Sequence, residues 1–534
     1  MSSVFQTDVL VVGSGPVGLT LALDLARRNV SCRLIEQSSV YPIGTRGRGI
    51  SVRTQEVFED LGVLAPLSAY VEPLVPLRTY DQQNNLIQEI NLTHIRALVS
   101  PPYQAIFMVS QHHTEAVLRE RLASYGVSVE LNSTLVGVTQ YPDYVVASVQ
   151  GANGVTEIQA RYLVGCDGGR STVRKLAGIS FLGETWDEEH HILANVSASG
   201  LDATAWCTWG NPVQGGLTLN WMSQSNTWFF IAQVVPSADG SMPPATLETL
   251  QRLFDERVGL PGVRFSDPTW ISVWRPNIRM VDRYRNGRVL LAGDAAHVHS
   301  AAGGQGLNTG VQDAYNLGWK LDYVLQGASE TLLDTYQVER LPIALGVLAT
   351  TSTRHRAFAQ DFGQAIVNLT SGQESFADPS QLSLSYRGSP LARDDGDPLG
   401  IRAGDRAPDA SLIQAENGEQ IRLFDLFQGT HFTLLLFSGQ PVPQVRGVSH
   451  NDLRIYVIAR PENSMDRSAS VFIDSAGQAY SAYGIKGDAQ ILIRPDGYIG
   501  FTAGNLNLEE VSSYFKDIAL LSLLNIPFSN EQRA

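Results

Sequence analysis

Three glycine-rich segments lie far apart on this chain, and each directly follows an apolar run. They are Gly13-Ser14-Gly15-Pro16-Val17-Gly18 after Val9-Leu10-Val11-Val12, Cys166-Asp167-Gly168-Gly169-Arg170-Ser171 after Tyr162-Leu163-Val164-Gly165, and Gly293-Asp294-Ala295-Ala296-His297 after Val289-Leu290-Leu291-Ala292. One such segment is a common strand-to-turn signal. Three in this order constrain the fold far more, because doubly wound sheets bind ligands at the carboxyl ends of their strands.

Phe5 to Val12 is rich in branched apolar residues and reads as a buried parallel strand. Gly13 and Gly15 permit a tight turn and a close approach of backbone to a pyrophosphate, while Gly18 lets the next helix pack against the strand. The first amides of that helix face phosphate, with Pro16 and Val17 in the same contact set. A second strand, Ser31 to Ile35, ends at Glu36, where a carboxylate accepts hydrogen bonds from ribose hydroxyls, with Gln37 beside it. This half is read as dinucleotide-binding, and it leaves NAD and FAD both open.

The other signatures narrow the choice. Asp167-Gly168 is either a plain turn or a ligand contact, and Asp294 ends a strand where its carboxylate can hold a polyol hydroxyl. Beyond it, Gly303, Gly304, Gln305, Gly306, Leu307 and Asn308 precede a helix and leave backbone N–H groups free, reinforced by the helix dipole. Such a site suits the negatively charged N1–C2 edge of a reduced flavin, for which a nicotinamide dehydrogenase has no need.

Bulk properties exclude other classes. A net charge of −14 argues against a nucleic-acid footprint. The three cysteines, Cys32, Cys166 and Cys207, make neither a disulfide framework nor a metal cluster. With no charged-then-apolar leader and no long apolar run, a cytoplasmic protein without a membrane span is expected.

The three motifs resemble those of the single-component FAD-dependent aromatic hydroxylases, the group that includes para-hydroxybenzoate hydroxylase and phenol hydroxylase, and are nearest to pentachlorophenol monooxygenase and the polyketide hydroxylases. Further matches are Arg46-Gly47-Arg48-Gly49-Ile50 with Arg53-Thr54, the run Gln111 to Arg119, and Leu332-Leu333-Asp334-Thr335-Tyr336 with Glu339-Arg340-Leu341-Pro342. The resemblance implies that Arg46 and Gln111 contact the ribityl–phosphate region of FAD, Glu36 the ribose, and Asp167 and Asp294 the polar middle of the cofactor. It also implies NADPH or NADH as a transient donor and O2 as co-substrate, with hydroxylation of a phenolic or polycyclic aromatic through a flavin C4a-hydroperoxide. Baeyer–Villiger or epoxidation chemistry on the same scaffold, and a non-catalytic FAD-binding protein, are the competing readings. One departure stands out: Ser300-Ala301-Ala302 occupies positions where the family has prolines that stiffen the loop.

The expected fold class is α/β. A Rossmann-like FAD-binding domain (residues 1–180 and 281–390) carries an inserted, mostly antiparallel β-sheet substrate domain (181–280). A thioredoxin-like α/β domain follows (401–534), and it makes a homodimer the expected state. Six of the eight tryptophans, Trp206, Trp209, Trp221, Trp228, Trp270 and Trp274, fall in the middle segment. They read as core more than as ligand contacts, and Arg264, Arg275 and Arg279 read equally as substrate partners or surface ion pairs. His297 and His299 are assigned structural hydrogen bonds, and no side chain is singled out as acid or base. The carboxyl-terminal segment has no cysteine after Cys207, so dithiol chemistry is impossible there.

Overall fold

The computed structural model describes residues 6–45, 47–91, 102–185, 190–210, 215–236, 241–275, 277–298, 305–360, 378–395, 400–439, 449–450, 452–461, 469–518 and 520. The chain forms two compact units. One comprises 1–26, 31–314 and 342–381, and the other 27–30, 315–341 and 382–534.

In the first unit, the apolar strands Thr7–Val12 and Cys32–Ile35 pair in parallel within an eight-stranded sheet. Thr7–Val12 also lies parallel to Gly154–Gly165, which in turn lies parallel to Val289–Leu291. The register sets Val12 opposite Gly165, and Gly165 opposite Leu291. All three glycine signatures therefore leave one sheet edge side by side. Gly165 is needed there because a Cβ would stand 2.7 Å from Val173 Cβ and 2.9 Å from Leu291 Cδ2.

A seven-stranded sheet runs in the order Arg264–Trp274, His190–Ser199, Thr227–Val234, Leu217–Met222, Trp206–Trp209, Leu77–Tyr80, Leu86–Ile90. Every pairing is antiparallel except that of Trp206–Trp209 with Leu77–Tyr80. Two of its strands thus come from residues 77–90, within the segment that sequence reading assigned to the dinucleotide-binding part. Period-two alternation sends Ile192, Ala194, Val196, Leu217, Leu219, Trp228, Phe230 and Ala232 to one face. There the amphipathic helix Leu247–Arg257 covers them with Leu250, Leu253 and Phe254. Burying each such side chain stabilises the fold by roughly 1.5–3 kcal/mol. Trp209 and Trp228 belong to this core and Trp221 packs at its margin, so these rings are structural.

The second unit is built on a nine-stranded mixed sheet. Its central strand Phe432–Phe437 is buried at every position, parallel to Leu453–Ala459 and antiparallel to Ala489–Ile493. Residues 315–341 belong with this unit, a grouping that the sequence reading placed with the FAD-binding segment. Among the described residues, no helix is long and apolar enough to cross a membrane.

Candidate functional site

The first signature separates packing glycines from an open one. Gly13 has φ +102°, and a Cβ there would sit 2.5 Å from the Cys166 carbonyl oxygen. A Cβ on Gly18 would fall 1.9 Å from the Gly13 oxygen. At Gly15 it would meet nothing within 4 Å, which leaves open space beside the start of the helix Pro16–Arg27. That space, beside the first turn of a helix, is what a pyrophosphate requires.

Glu36 ends its strand against this turn. Its carboxylate accepts from Ser14 N at 3.0 Å, Ser14 Oγ at 3.1 Å and Ser38 N at 3.0 Å. Burial alone would raise its pKa, but the hydrogen bonds from Ser14 and Ser38 prevail and hold it low. The group is ionised and keeps lone pairs for a hydroxyl donor. Gln37 is exposed immediately after it.

The second signature is tied down locally. Asp167 accepts from Ser171 Oγ, from Thr172 N at 2.7 Å and from Val173 N at 3.0 Å, satisfying the first amides of the short helix Thr172–Leu176. Gly168 has φ +78° and open space where a Cβ would be. Arg174 then links two signatures, donating from Nη1 to Ala295 O and from Nη2 to Gly169 O, both at 2.9 Å.

Asp313 organises the third. One of its carboxylate oxygens accepts from Gly293 N at 3.1 Å and lies 2.7 Å from His297 Nε2. Gly293 adopts φ +62°, where a Cβ would stand 2.7 Å from Val17 Cγ2. The Asp294 side chain keeps solvent access although protein surrounds it densely. Desolvation raises its carboxyl pKa against the opposing charge influence of His297.

The segment 44–51 is pinned from four sides. Asn195 Oδ1 accepts from Thr45 N at 3.1 Å, and Gln111 Oε1 accepts from Gly47 N at 3.0 Å. Asn308 accepts from Ser51 N at 2.8 Å and donates to Gly49 O at 2.9 Å. Val109 N donates to Arg48 O at 2.8 Å. Leu307 touches the same segment, since a Cβ on Gly47 would lie 3.2 Å from its Cδ1. Gly306 starts the helix Gly306–Leu325, and the Gln305 carbonyl accepts from Thr309. Gln111 and Asn308 are thus engaged in positioning this segment. Arg46, Gly303, Gly304, His299 and Ser300-Ala301-Ala302 lie outside the described residues.

Sequence reasoning did not find Arg174 as a bridge or Asp313 as a clamp, because each acts on residues far away in sequence. It also passed over Arg48. The Arg48 guanidinium carbon stands 4.6 Å from the Phe229 ring centroid and 5.5 Å from that of Trp206. These rings lie on the sheet face opposite the helix-covered core. Arg264 donates to the neighbouring Val263 O at 2.8 Å, and Arg275 is exposed.

Residues 6–351 match the family described as "FAD binding domain", and residues 450–522 match "Phenol hydroxylase, C-terminal dimerisation domain". A flavin-dependent monooxygenase of Mycobacteroides abscessus is 41% identical over 502 residues, covering 92% of this chain and 96% of that protein. The pentachlorophenol 4-monooxygenase of Sphingobium chlorophenolicum is 33% identical, covering 93% and 94%. Among solved structures, aklavinone-11 hydroxylase in a ternary complex with FAD and aklavinone superposes with a TM-score of 0.81 at 26% identity, covering 97% of this chain and 99% of that one.

Proposed function

We propose, because this chain belongs to the FAD-dependent monooxygenases of the aromatic-hydroxylase family, that it uses NAD(P)H and O2 to hydroxylate a phenolic or polycyclic aromatic compound. The supporting observation is the convergence of three glycine signatures on one sheet edge, with open space at Gly15 flanked by glycines that packing demands. The residues fit FAD on that ground. Bound FAD would supply the redox chemistry, taking two electrons from NAD(P)H and passing them to dioxygen so that one oxygen atom enters the ring and the other leaves as water.

The chain's own residues bind and orient. Gly13, Gly15, Pro16, Val17 and Gly18 form the pyrophosphate turn, and Glu36 takes the ribose hydroxyls with Gln37 alongside. Gly168 leaves room for the polar middle of the cofactor. Asp167 acts there by shaping the loop through its hydrogen bonds to Thr172 and Val173. Asp294 holds a ribityl hydroxyl, while Gly293 sits where Val17 and Asp313 require it. Gly306 and Leu307 offer amides at a helix start, where partial positive charge stabilises an anionic ring edge. Gln111 and Asn308 position the 44–51 segment against that edge. Arg46, Gly303, Gly304 and Gln305 complete the set by resemblance. A homodimer is supported by the match of residues 450–522 to the phenol hydroxylase dimerisation domain.

The test is isotopic. FAD-loaded protein given NAD(P)H, a phenol panel and 18O2 is expected to oxidise the donor faster with substrate and to place one labelled atom in the product. Unlabelled product, or donor oxidation that no aromatic compound accelerates, would falsify the reading.

A further inference from the structure

Arg48 is a charged group lined by neutral ones. Its guanidinium lies against the faces of Phe229 and Trp206, and Nη1 stands 3.9 Å from the Met222 sulfur. Asn220, oriented so that its amide oxygen faces the guanidinium, accepts from Nη1 at 2.9 Å and also from Nη2. Among the described residues, no carboxylate lies within ion-pair distance of it. Glu72 favours the charge from beyond ion-pair distance: its Oε2 accepts from Ser223 N at 2.7 Å and Ser223 Oγ at 2.8 Å, and its buried Oε1 has no hydrogen-bond partner among the described residues. Desolvation brings the Arg48 pKa down to about 10, so the side chain stays cationic at neutral pH. A desolvated cation without an anion is unfavourable unless something completes it.

Two further observations say where the completing group comes from. The Trp206 indole N–H is buried and has no acceptor among the described residues. The backbone carrying Arg48 is held on both sides, by Gln111 at Gly47, by Asn308 at Gly49 and Ser51, and by Val109 at Arg48 itself. The guanidinium is therefore preorganised between the helix start at Gly306 and the aromatic face of the sheet. Flat rings beside a cation and a spare N–H suit an aromatic molecule that carries an oxygen anion.

We propose that Arg48 is the substrate anchor of this enzyme, binding the ionised phenolic oxygen of the aromatic ring, with the Trp206 N–H as a second donor. The assignment rests on the reading of the site as an aromatic hydroxylase. Holding the substrate as its phenolate raises electron density at the ortho and para carbons, where an electrophilic oxygen is accepted. Arg48 also sets specificity, because an ether in place of the hydroxyl leaves the cation uncompensated.

The experiment measures binding, not turnover. FAD-loaded protein is titrated with para-nitrophenol and hydroxyanthraquinone, each beside its O-methyl ether, and followed by flavin absorbance and fluorescence. Wild type is expected to prefer the phenol by about tenfold or more, as a charge-assisted hydrogen bond implies. The preference should increase as pH rises through the pKa of the probe. Arg48→Met is expected to abolish the preference with FAD content unchanged, and Arg48→Lys to restore part of it. Asn220→Asp, which supplies a competing carboxylate, should abolish it with Arg48 still present. Equal affinity for phenol and ether in wild type, no binding by any probe, a preference that survives Arg48→Met, or loss of FAD in that variant would each overturn the assignment. An Arg48-dependent preference without donor oxidation or oxygen transfer would instead sink the hydroxylase reading and leave the anchor standing.

Discussion

Two enclosed arginines, one in each unit, show opposite solutions to the same electrostatic problem. Arg494 donates to Glu339 at 2.6 and 3.0 Å and to Asp496 at 3.0 and 2.5 Å, with all three side chains at most 2% exposed. Lys320 joins through Glu339 Oε2 at 2.7 Å; Asn316 donates to Glu339 Oε2 and Asp496 Oδ2, and Trp319 donates to Asp496 Oδ2. That cluster is closed, its charges answered inside the protein. Arg48 has a similar aromatic setting but only neutral partners among the described residues. A satisfied cation holds structure together, and an unanswered one is available to a ligand.

Breaking the closed cluster should have the largest effect. Glu339→Gln leaves Arg494 and Lys320 short of a carboxylate and is expected to cost about 3–5 kcal/mol by denaturant unfolding. A loss below about 1 kcal/mol would show that Arg494 and Lys320 do not depend on Glu339 for charge compensation. Burial would raise the Glu339 pKa, but Arg494 and Lys320 hold it well below the usual carboxylate range. Its contribution is therefore present above its unfolded pKa and is lost as pH falls through the folded one.

Next come the glycines of the first signature. Gly13→Ala forces a Cβ to 2.5 Å from a carbonyl oxygen at φ +102° and should destabilise the protein by about 2–4 kcal/mol. Gly15→Ala meets no protein atom, so its thermal midpoint without cofactor should stay near wild type while FAD affinity falls. Equal melting losses in the two variants would remove the distinction between packing glycine and cofactor-facing glycine.

Lys320 supplies a pH test of intermediate size. Burial lowers its pKa to about 8 from 10.5, against the pull of Glu339. The unfolded chain then binds more protons than the folded one between those values. Stability should rise with pH through that window, by roughly 3 kcal/mol in all. Comparing wild type with Lys320→Met isolates the effect, and a slope that persists in the variant assigns it elsewhere.

The smallest expected change concerns the clamp on the third signature. Asp313→Ala removes the acceptor of Gly293 N and His297 Nε2 and should cost about 1–3 kcal/mol, with weaker FAD retention on dilution. Unchanged flavin retention would confine Asp313 to folding.

Much of this was legible in the chain itself. Gly13 and Gly18 were assigned to a tight turn and to helix packing, and the 2.5 and 1.9 Å approaches at those positions are the physical counterpart. The strands before each signature were readable because branched apolar runs bounded by glycine are a local pattern. Less legible was the extent of the seven-stranded sheet, whose strands at 77–80 and 86–90 carry little apolar alternation and are recognisable only by what they pair with. Asn308 illustrates another limit. Its position in a glycine-rich run points to the cofactor, and nothing in that run shows that its side-chain amide also reaches Gly49 and Ser51.

The linear order of residues was enough to establish a flavin-binding α/β framework, because turn geometry, strand character and helix starts arise from neighbours a few positions apart. It could not assign the polar partners. Arg174 reaching Ala295, Asp313 reaching Gly293, and Arg48 reaching Asn220 all depend on chain segments meeting in three dimensions. A side chain's donors and acceptors are used up by whichever groups the packed fold brings within about 3 Å, and that proximity is not encoded in spacing.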